Sequence, residues 1–357
     1  MKINILFGIQ SGPWGGGNQF IKALQNQFIA QNIYEQDTEK AEVILFNANP
    51  SNIFLNHLKV YKIKKRNPDK IIVLRLDGPV SLVRGADKII DFIIKIFADI
   101  FIDGIIFQSH WSRDKNKKNF KINAAYETVI SNACDLKIFN VVSRRQYNPE
   151  GKIKLLATSW SNNLKKGFKI YKYLDDNLDF NKYKMTFVGN SPIRFKNIKH
   201  VLPQLSKELA KIVKENDIYI TASKDDPCSN SLIEALSCGL PVAALNSGGH
   251  PELVKDAGEL FRDENDVIEQ IEKVKNNYSN YQSKINVNSI DAVSDEYINF
   301  MENIFDDAQA NIYMAKKINF KKTFVYLYML SLVLWWKIGN YIKLILNAFG
   351  KRLIGKR

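Results

Sequence analysis

Short apolar runs alternate with amphipathic stretches along most of the chain. The amphipathic stretches place apolar residues on one helical face, as at Phe20, Ile21, Leu24 and Phe28. The apolar runs have the length of buried strands and occur at 2–7, 43–46, 71–76, 105–107 and 128–130. A strongly apolar helix is predicted near 87–98. Because strand and helix signals alternate, this region predicts a doubly wound parallel α/β sheet.

A polar segment at 142–151 interrupts the alternation, and we predict a domain linker there. A second series of elements follows, with strands at 153–157, 184–188, 218–221 and 242–245 and helices at 167–174 and 205–213. The sequence therefore predicts two Rossmann-like domains. Their predicted extents are 1–145 and 151–290, followed by a helix at 291–310 that returns to the first domain and a tail at 312–357.

Composition indicates a folded protein without disulfide bonds. Hydrophobic residues make up 45% of the 357 positions, more than a disordered chain carries. Cys134, Cys228 and Cys238 lack the spacing of a metal site, so we expect reduced thiols. The amino terminus leads from a short apolar run directly into a glycine-rich loop and does not resemble a signal peptide.

The net charge of +14 is concentrated in the tail. Residues 312–357 contain no acidic residue and ten basic ones, namely Lys316, Lys317, Lys321, Lys322, Lys337, Lys343, Lys351, Arg352, Lys356 and Arg357. The aromatic residues of the tail form one apolar run instead of alternating with the basic residues. For that reason nucleic-acid binding is not predicted.

The tail combines this charge with an apolar helix. Twelve of the 13 residues at 324–336 are apolar or aromatic, a run shorter than the roughly 20 residues of a spanning helix. Beyond it, Lys337, Asn340 and Lys343 fall on one helical side, so the continuation is amphipathic. We therefore predict that residues 316–357 bind an anionic membrane surface. A tilted spanning helix, a core helix of the second domain and a dimer interface remain alternatives.

The segment 226–251 carries the clearest candidate chemistry. Asn230 is a candidate cap for a helix that contains Glu234, and Gly239 is expected to end that helix. A buried strand at 242–245 and a glycine turn at 247–251 follow. Two helix-opening turns thus lie close to a carboxylate that can bind a pair of ribose hydroxyls, an arrangement that suits a nucleotide diphosphate.

A second glycine-rich loop, at 11–18, joins the first predicted strand to the first helix. Gly15, Gly16 and Gly17 allow the backbone to approach a phosphate or a hydroxylated ligand closely. The alternative is a flexible turn without a ligand. The loop lacks the GxGxxG pattern, so a nicotinamide cofactor is not supported.

The segment 226–251 resembles the donor-binding segment of family 4 retaining glycosyltransferases, which have the GT-B fold. The matching positions are Asp226, Glu234, Ala235, Cys238, Gly239, Pro241, Gly248, Gly249, Pro251 and Glu252. Further similar pieces are Lys166-Gly167, Val188-Gly189-Asn190 and the run 130–135, so the resemblance extends over about 1–305. It implies a GT-B architecture, in which the first domain binds the acceptor, the second binds the donor, and the reaction occurs in the cleft between them.

The resemblance also implies roles for individual residues. Glu234 would bind the donor ribose, and Lys166 would neutralise the diphosphate. The implied donor-binding set is Gly15, Gly16, Gly17, Lys166, Gly189, Asn190, Ser229, Asn230, Ser231, Leu232, Glu234, Gly249 and His250, with the amides of Ser231 and Leu232 on the diphosphate. His250 could present its ring or its backbone amide to the donor sugar. Taken singly, Glu234 and Lys166 could equally be ordinary surface residues.

The chain departs from the family pattern at two places. Asp226 stands where the family has Glu, so its reach toward the donor sugar is shorter. The Arg that the family usually has five or six residues before Lys166 is replaced by Ser161 or Trp160. Charge on the diphosphate would therefore have to be balanced by other groups.

Asp77 follows a predicted strand at the carboxyl edge of the first sheet. Many relatives have a His at about this place, so the resemblance implies that Asp77 orients the acceptor hydroxyl. The alternative is that Asp77 caps the turn that follows it. Arg75 could pair with Asp77 or with phosphate. The predicted catalytic set is Asp77, Asp226 and Lys166.

The sequence contains no Asp-x-Asp triplet, which favours metal-independent transfer. We therefore predict a retaining hexosyltransferase on the cytoplasmic face of a membrane, as a peripheral protein of polysaccharide biosynthesis. The nucleotide-sugar is its substrate, no cofactor is predicted, and the acceptor is a membrane-borne or lipid-linked glycan. The alternatives are a GT-B nucleotide-sugar epimerase and a non-catalytic membrane-bound partner protein of the same fold.

Overall fold

Two parallel β-sheets organise the chain. The computed structural model describes residues 1–12, 14–47, 53–85 and 87–354. Pro13 of the predicted glycine-rich loop and residues 355–357 of the predicted tail lie outside the described residues. Both sheets are covered by helices on both faces, so the predicted class of two doubly wound α/β domains is confirmed.

The first sheet has five parallel strands in chain order. They are β1 (Ile3–Leu6), β2 (Val43–Asn47), β3 (Ile71–Leu76), β4 (Gly104–Phe107) and β5 (Tyr126–Val129). The helices between them are α1 (Gly16–Ala30), α2 (Ile53–Arg66), α3 (Val80–Arg84), α4 (Lys88–Phe101) and α5 (His110–Phe120). The first four strands are buried along their whole length, as expected where helices cover both faces of a parallel sheet.

One isolated β-bridge explains why helices lie on both faces of this sheet. Strands in chain order, joined by right-handed crossovers, would place every helix on one face. Tyr34, however, pairs with Ile3 on the edge of β1 that faces away from β2. After α1 the chain therefore lies on one side of β1, and it then crosses β1 to form β2 on the other side. As a result α1 packs on one face of the sheet, whereas α2 and α4 pack on the other.

The second sheet has six parallel strands. They are β6 (Ile153–Ser159), β7 (Tyr183–Gly189), β8 (Lys199–Val201), β9 (Ile218–Thr221), β10 (Val242–Leu245) and β11 (Gly258–Phe261). Its helices are α6 (Phe168–Asn177), α7 (Ser206–Lys214), α8 (Asn230–Ser237), α9 (His250–Val254), α10 (Val267–Asn276) and α11 (Tyr278–Ser283). The strand order β11-β10-β9-β6-β7-β8 reverses direction between β6 and β9. Ligands of such sheets bind in the crevice at the carboxyl end of this switch point.

The chain then returns to the first domain with two long helices. In α12 (Ile290–Gln309), Tyr297, Met301 and Ile304 are buried against the face that α1 covers. On the opposite face, α13 (Phe320–Ile354) packs along α4. The predicted tail is therefore a helix docked on the first domain, and its interpretation as a core helix of the second domain is wrong. Among the described residues, no helix has the length and apolarity needed to cross a membrane.

Two short strands and one helix cap differ from the expectations. The pattern did not predict β8 or β11, because β8 is largely exposed and β11 carries Glu259 within its four residues. The cap of α8 is Ser229 and not Asn230, which is the first helical residue. The domain boundaries stay predictions, although Cys134 and Phe139 already pack in the core of the second domain.

Candidate active site

The carboxyl edges of the two sheets face each other. The Glu252 carboxylate at the start of α9 accepts hydrogen bonds from the backbone N–H groups of His110 and Trp111, each at 2.8 Å. It thereby caps α5 of the first domain from the second domain. Close by, the Asn132 side chain donates to the Asn230 side chain at 3.2 Å. These contacts define a cleft in which the carboxyl ends of both sheets meet.

On the donor side, α8 begins at this cleft without a side-chain hydrogen bond to its first amides. Its cap residue Ser229 makes no side-chain hydrogen bond to the helix, and the hydroxyls of Ser229 and Ser231 lie 3.3 Å apart. The first N–H groups of a helix have no partner within it, and they carry the positive end of the helix dipole. The start of α8, which includes Leu232, can therefore bind an anionic group such as a phosphate.

Glu234, in the second turn of α8, is a buried carboxyl group without a partner. It is only 8% exposed, and its carboxylate makes no hydrogen bond or ion pair with any described residue. Burial raises its pKa to about 8, because the charged form loses its water without gaining a partner. Such a group is costly unless it is paired, so Glu234 is a natural acceptor for the hydroxyl groups of a ligand.

Lys166 and Asp226 form an ion pair at the edge of the same sheet. The Lys166 ammonium lies 2.9 Å from the Asp226 carboxylate. Burial of the Asp226 carboxyl acts to raise its pKa, but the Lys166 ammonium and the hydrogen bonds to the carboxylate outweigh burial and hold the pKa below its usual value. Asp226 is thus ionised and bound to Lys166, whereas the sequence assigned the two residues to different parts of the donor.

The glycines of this edge let loops approach one another closely. Gly248, with φ of 65°, passes the Asp226 carbonyl so closely that an added Cβ would lie 2.2 Å from that oxygen. The amide of Gly249 donates to the same carbonyl at 2.8 Å. A side chain at Gly248 would collide with the backbone, which explains why only glycine fits there.

His250 lies inside the second domain. Its ring is fully buried, and Nδ1–H donates to the Leu245 carbonyl at 2.8 Å. Burial lowers the pKa of His250 below its usual value, so the ring is neutral at neutral pH and Nε2 keeps its lone pair. Nε2 has no partner among the described residues, and the backbone amide donates to the Ser247 carbonyl at 3.3 Å. Because the ring is buried and the backbone amide is already hydrogen-bonded, neither is accessible to a donor sugar in this conformation.

The remaining predicted donor residues line the loops after β1, β6 and β7. An added Cβ on Gly16 would lie 2.3 Å from Cβ of Asn230, whereas one on Gly17 would meet nothing within 4 Å. Gly16 and Gly17 belong to α1 and not to the loop, which ends earlier than the sequence predicts. The start of α1 therefore rests on the start of α8. After β7, Gly189 packs against the end of β6, and the Asn190 side chain donates to the Trp160 carbonyl at 2.6 Å.

Asp77 is held by a polar network at the edge of the first sheet. Its Oδ1 accepts from the buried Arg75 guanidinium at 3.3 Å and forms a short hydrogen bond with the Gln108 amide. Its side chain is nevertheless 46% exposed. The N–H groups of Val80 and Ser81, in the turn that Asp77 could have capped, bond to Asp91 instead. Asp77 therefore presents a fixed, accessible carboxylate to the cleft and does not cap that turn.

Several site residues were missed by sequence reasoning. Gln108 follows β4 in the same way that Asp77 follows β3, so its position at a strand's carboxyl end was an available signal. The indole rings of Trp14 and Trp160 meet across the cleft with centroids 5.5 Å apart, and no local pattern predicts that contact. An added Cβ on Gly15 would lie 3.0 Å from the Trp160 ring, so the glycine-rich loop also rests against this pair.

A separate cavity of about 850 Å³ lies on the linker side of the second domain. Arg144, Tyr147, Ser237 and Tyr278 are among the residues that line it. None of the residues described above as donor or acceptor groups lines this cavity. We therefore place the candidate site at the facing sheet edges, where unpaired polar groups converge, and not in this cavity.

The class of the molecule follows from the fold and from one domain. Residues 157–290 match the family model described as glycosyl transferases group 1, so this part of the chain is a group 1 glycosyltransferase domain. It contains Lys166, Asp226 and Glu234. Together with the two facing parallel sheets and the structural likenesses below, it defines a GT-B fold, as the sequence predicts.

Particular proteins share this architecture. The chain is similar to a protein of Thermosipho melanesiensis named probable sucrose-phosphate synthase, with 25% identity over 174 residues. That alignment covers 45% of this chain and 40% of the relative, so the chain matches less than half of that protein's length. The sucrose-phosphate synthase of Thermosynechococcus elongatus superposes with a TM-score of 0.66 at 13% identity, covering 86% of this chain and all of that one. Anabaena HepE, solved with UDP, gives a TM-score of 0.64 at 14% identity over 85% of this chain and all of its own.

Proposed function

We propose that the protein transfers a hexose from a nucleotide-sugar to a glycan acceptor with retention of anomeric configuration. The observation that carries the proposal is the combination at one edge of the start of α8 without a side-chain cap, the unpaired buried Glu234 and the Lys166 ammonium. A nucleoside diphosphate-sugar offers the matching groups, since it has an anionic diphosphate and a pair of ribose hydroxyls. The group 1 match over 157–290 supports the same assignment.

The proposed chemistry uses groups of the chain without a metal ion or a cofactor. The leaving diphosphate gains negative charge as the glycosidic bond breaks, and the α8 amides together with Lys166 stabilise that charge. Moving Lys166 toward phosphate would free Asp226, which lies beside it, to face the donor sugar. Asp77, fixed by Arg75 and Gln108, orients the attacking hydroxyl of the acceptor.

The nucleotide is proposed by analogy with a structural neighbour. Anabaena HepE has been solved with UDP, with UDP and glucose, and with UDP-glucose. UDP-glucose is therefore the first donor to test, followed by other nucleotide-sugars. The identity to HepE is at most 15%, so the choice of base and sugar rests on experiment.

We propose that the protein lies at the cytoplasmic face of a membrane as a peripheral protein. Large apolar residues along α13 remain exposed after it docks on α4, and Trp335 is 70% exposed. The tail that contains α13 has ten basic residues and no acidic one. Apolar side chains flanked by cations favour an anionic lipid surface, so the proposed acceptor is a membrane-borne or lipid-linked glycan.

The proposal is tested by titrating UDP-glucose and other nucleotide-sugars into the full chain by calorimetry. We expect binding by at least one donor and competition by its nucleoside diphosphate. Lys166→Ala should weaken that binding, whereas Lys169→Ala, which removes an exposed lysine paired with Glu264, should leave it unchanged. Equal affinities of the wild type and Lys166→Ala would remove the site assignment.

The same preparation distinguishes the alternative functions. A nucleotide-sugar epimerase would convert the donor into its epimer in the absence of any acceptor. A non-catalytic partner would bind the donor but give neither hydrolysis nor transfer. Product analysis of the donor after incubation, with and without membrane-extracted glycolipids, therefore separates all three.

A further inference from the structure

The helix α13 has apolar residues on two opposite sides. The inner side, packed on α4, includes the fully buried Met329 and Val333. The outer side is exposed and consists of Phe324, Leu327, Tyr328, Leu334, Trp335, Ile338 and Tyr341, which we call the outer stripe. These positions lie three, four or seven residues apart, so they share one helical face. An apolar stripe of this length on the outside of a folded domain indicates a binding surface.

The segment before α13 is fixed to the first domain by a buried carboxylate. Asp103 accepts from the Tyr313 hydroxyl and the Lys316 amide, each at 2.8 Å. It also pairs at 3.3 Å with Lys64, and both side chains of this pair are fully buried. Lys316 in turn donates to the Ala98 carbonyl at 3.0 Å, near the end of α4. The helix therefore begins from a rigid attachment and is not a loose tail.

The direction of α13 follows from its contacts. Its Tyr326 ring, near the start of α13, lies 5.5 Å from Phe101 at the end of α4, and the residues of α13 that follow, up to Trp336, keep packing in the core to which α4 contributes. A parallel helix would run past the end of α4 and lose these contacts. The two helices are thus antiparallel. Because α4 begins at the carboxyl edge of the sheet, α13 runs toward the edge that carries Asp77.

The helix extends well beyond α4. With 14 residues α4 is about 20 Å long, whereas α13 extends about 42 Å from Tyr326 to Ile354. About 20 Å of α13 therefore projects past Lys88, on the side of the carboxyl edge of the first sheet. An added Cβ on Gly339, which is level with Lys88, would meet nothing within 4 Å, consistent with the helix leaving the body there.

Resting on the proposed function, we infer that the outer stripe lies in the surface of an anionic bilayer. The axis of α13 then runs parallel to the membrane plane, and the first domain lies above it. The helix α4 then lies one layer above α13, and the first sheet lies one layer higher. With about 10 Å between packed layers, Asp77 stands about 20 Å above the axis of α13. The acceptor that fits this height is a lipid-linked saccharide, because its headgroup and first sugars span the distance and its lipid stays in the bilayer.

Charge supports an anionic bilayer as the occupant of the outer stripe. The tail from 312 to 357 carries ten basic residues and no acidic one, although Lys316 and Lys317 are engaged by Ala98 and Asp69 of the first domain. The net positive charge of the rest attracts the segment to an anionic surface. Tyr328, Trp335 and Tyr341 have the amphipathic rings that favour the headgroup region. A protein partner would not require so uniform a charge.

The orientation is tested by energy transfer from single labels to a lipid-borne acceptor dye. The three native cysteines are buried, so Lys88→Cys, Asp99→Cys and Lys22→Cys can each be labelled selectively. The vesicles contain phosphatidylcholine with phosphatidylglycerol, and the full chain is used. We expect similar transfer from Lys88→Cys and Asp99→Cys at the two ends of α4, and weaker transfer from Lys22→Cys on α1 behind the sheet.

Other patterns would overturn the inference. Stronger transfer from Lys88→Cys than from Asp99→Cys would mean that α13 enters the bilayer end-on. Equal transfer from all three labels would mean that α13 leaves α4 and acts as a tether.

Matched variants test the outer stripe itself. Leu327→Glu should reduce vesicle binding at least tenfold, whereas Asn26→Glu, with the same charge change at an exposed position of α1, should not. Vesicle binding that survives Leu327→Glu would contradict the docking surface. Donor titration of Leu327→Glu should match the wild type, so a failure of this inference is distinguishable from a failure of the proposed function.

Discussion

The two sheet edges that form the cleft differ in how their polar groups are satisfied. At the first edge, Arg75, Asp77, Gln108 and Asn132 bond to one another and leave one accessible carboxylate. Of these four side chains, only the buried Arg75 Nε lacks a partner among the described residues, and the carboxylate of this edge is held by hydrogen bonds. At the second edge the carboxylate of Glu234 and the first amides of α8 are left without partners among the described residues.

This difference indicates separate roles for the two domains in donor binding and in turnover. Buried polar groups without partners cost stability, so their presence at the second edge is explained by a ligand that completes them. The first edge needs no ligand to hold its geometry, which suits a group that orients a substrate. We therefore expect changes at the second edge to affect donor affinity and changes at the first edge to affect turnover.

The largest effect is expected at the first edge. Asp77→Asn removes the charge that we propose orients the acceptor hydroxyl but keeps the shape of the side chain and its contact with Arg75. Turnover should fall roughly 100-fold, within the range of positioned acid–base groups. Donor affinity, measured by calorimetry, should stay within about twofold because Asp77 lies outside the second domain.

A loss of donor affinity in Asp77→Asn as large as its loss of turnover would contradict the difference between the two edges. In that case the first edge would take part in donor binding. Ser81→Ala, in the turn near Asp77, serves as a control that should leave both turnover and affinity unchanged.

The next effect concerns the second edge. Glu234→Ala removes the proposed acceptor of the donor ribose hydroxyls, and two hydrogen bonds to a group that is mostly neutral in the free protein contribute about 0.5–1.5 kcal/mol each. Donor affinity should therefore fall roughly 10- to 100-fold. Calorimetric titration checks this, and Glu269→Ala, which removes an exposed glutamate of α10, is the control. Unchanged donor affinity would mean that Glu234 is only a buried residue of α8.

A smaller effect is expected where the two edges touch. Gly16→Ala places a Cβ at 2.3 Å from Cβ of Asn230 and should push the start of α1 away from α8. Turnover should fall about tenfold if this contact keeps the reacting groups aligned. Gly17→Ala is the matched control, because its Cβ meets nothing and alanine favours the helix by about 0.5–1 kcal/mol. Equal turnover in both variants would show that the contact is dispensable.

The fold was largely predictable because its strands are buried on both faces. Such strands read as continuous apolar runs, which is why β1 to β4 and β10 were located from sequence. The strand β8 was missed because an exposed edge strand has no apolar signature. The docking of α13 on α4 was not predictable, since both sides of that helix are apolar and the sequence does not say which side is covered.

The site was predictable where it is local. The glycines and carboxylates of 226–251 lie within one βα unit, so their order alone indicates a turn, a helix and a buried carboxylate. Contacts between the domains were not predictable, because they join residues far apart in the chain. Glu252 and His110 are 142 positions apart, and Asn132 and Asn230 are 98 apart. Only the folded arrangement shows that Glu252 caps α5.

The smallest expected effect is on the pH dependence of stability. It distinguishes the stability cost of burying Glu234 from the role of Glu234 in donor binding. Burial raises the pKa of Glu234 to about 8 from an ordinary value of 4.5, so between these values the folded protein holds a proton that the unfolded chain has lost. The free energy of unfolding must then decrease as pH rises from 4.5 to about 8 and level off above it. Glu234→Gln cannot ionise, so its stability should lack this component of the decline.

Denaturant unfolding of the wild type and Glu234→Gln across this pH range measures the difference directly. The variant should match the wild type at low pH and exceed it at high pH, because only the wild type must bury a charge there. A saturating donor should abolish the advantage, since ribose hydroxyls then pair with the Glu234 carboxylate. If the two proteins keep the same stability difference at every pH, the Glu234 carboxyl is already solvated or paired. The carboxylate of the second edge would then have its partners in the free protein, as the carboxylate of the first edge does.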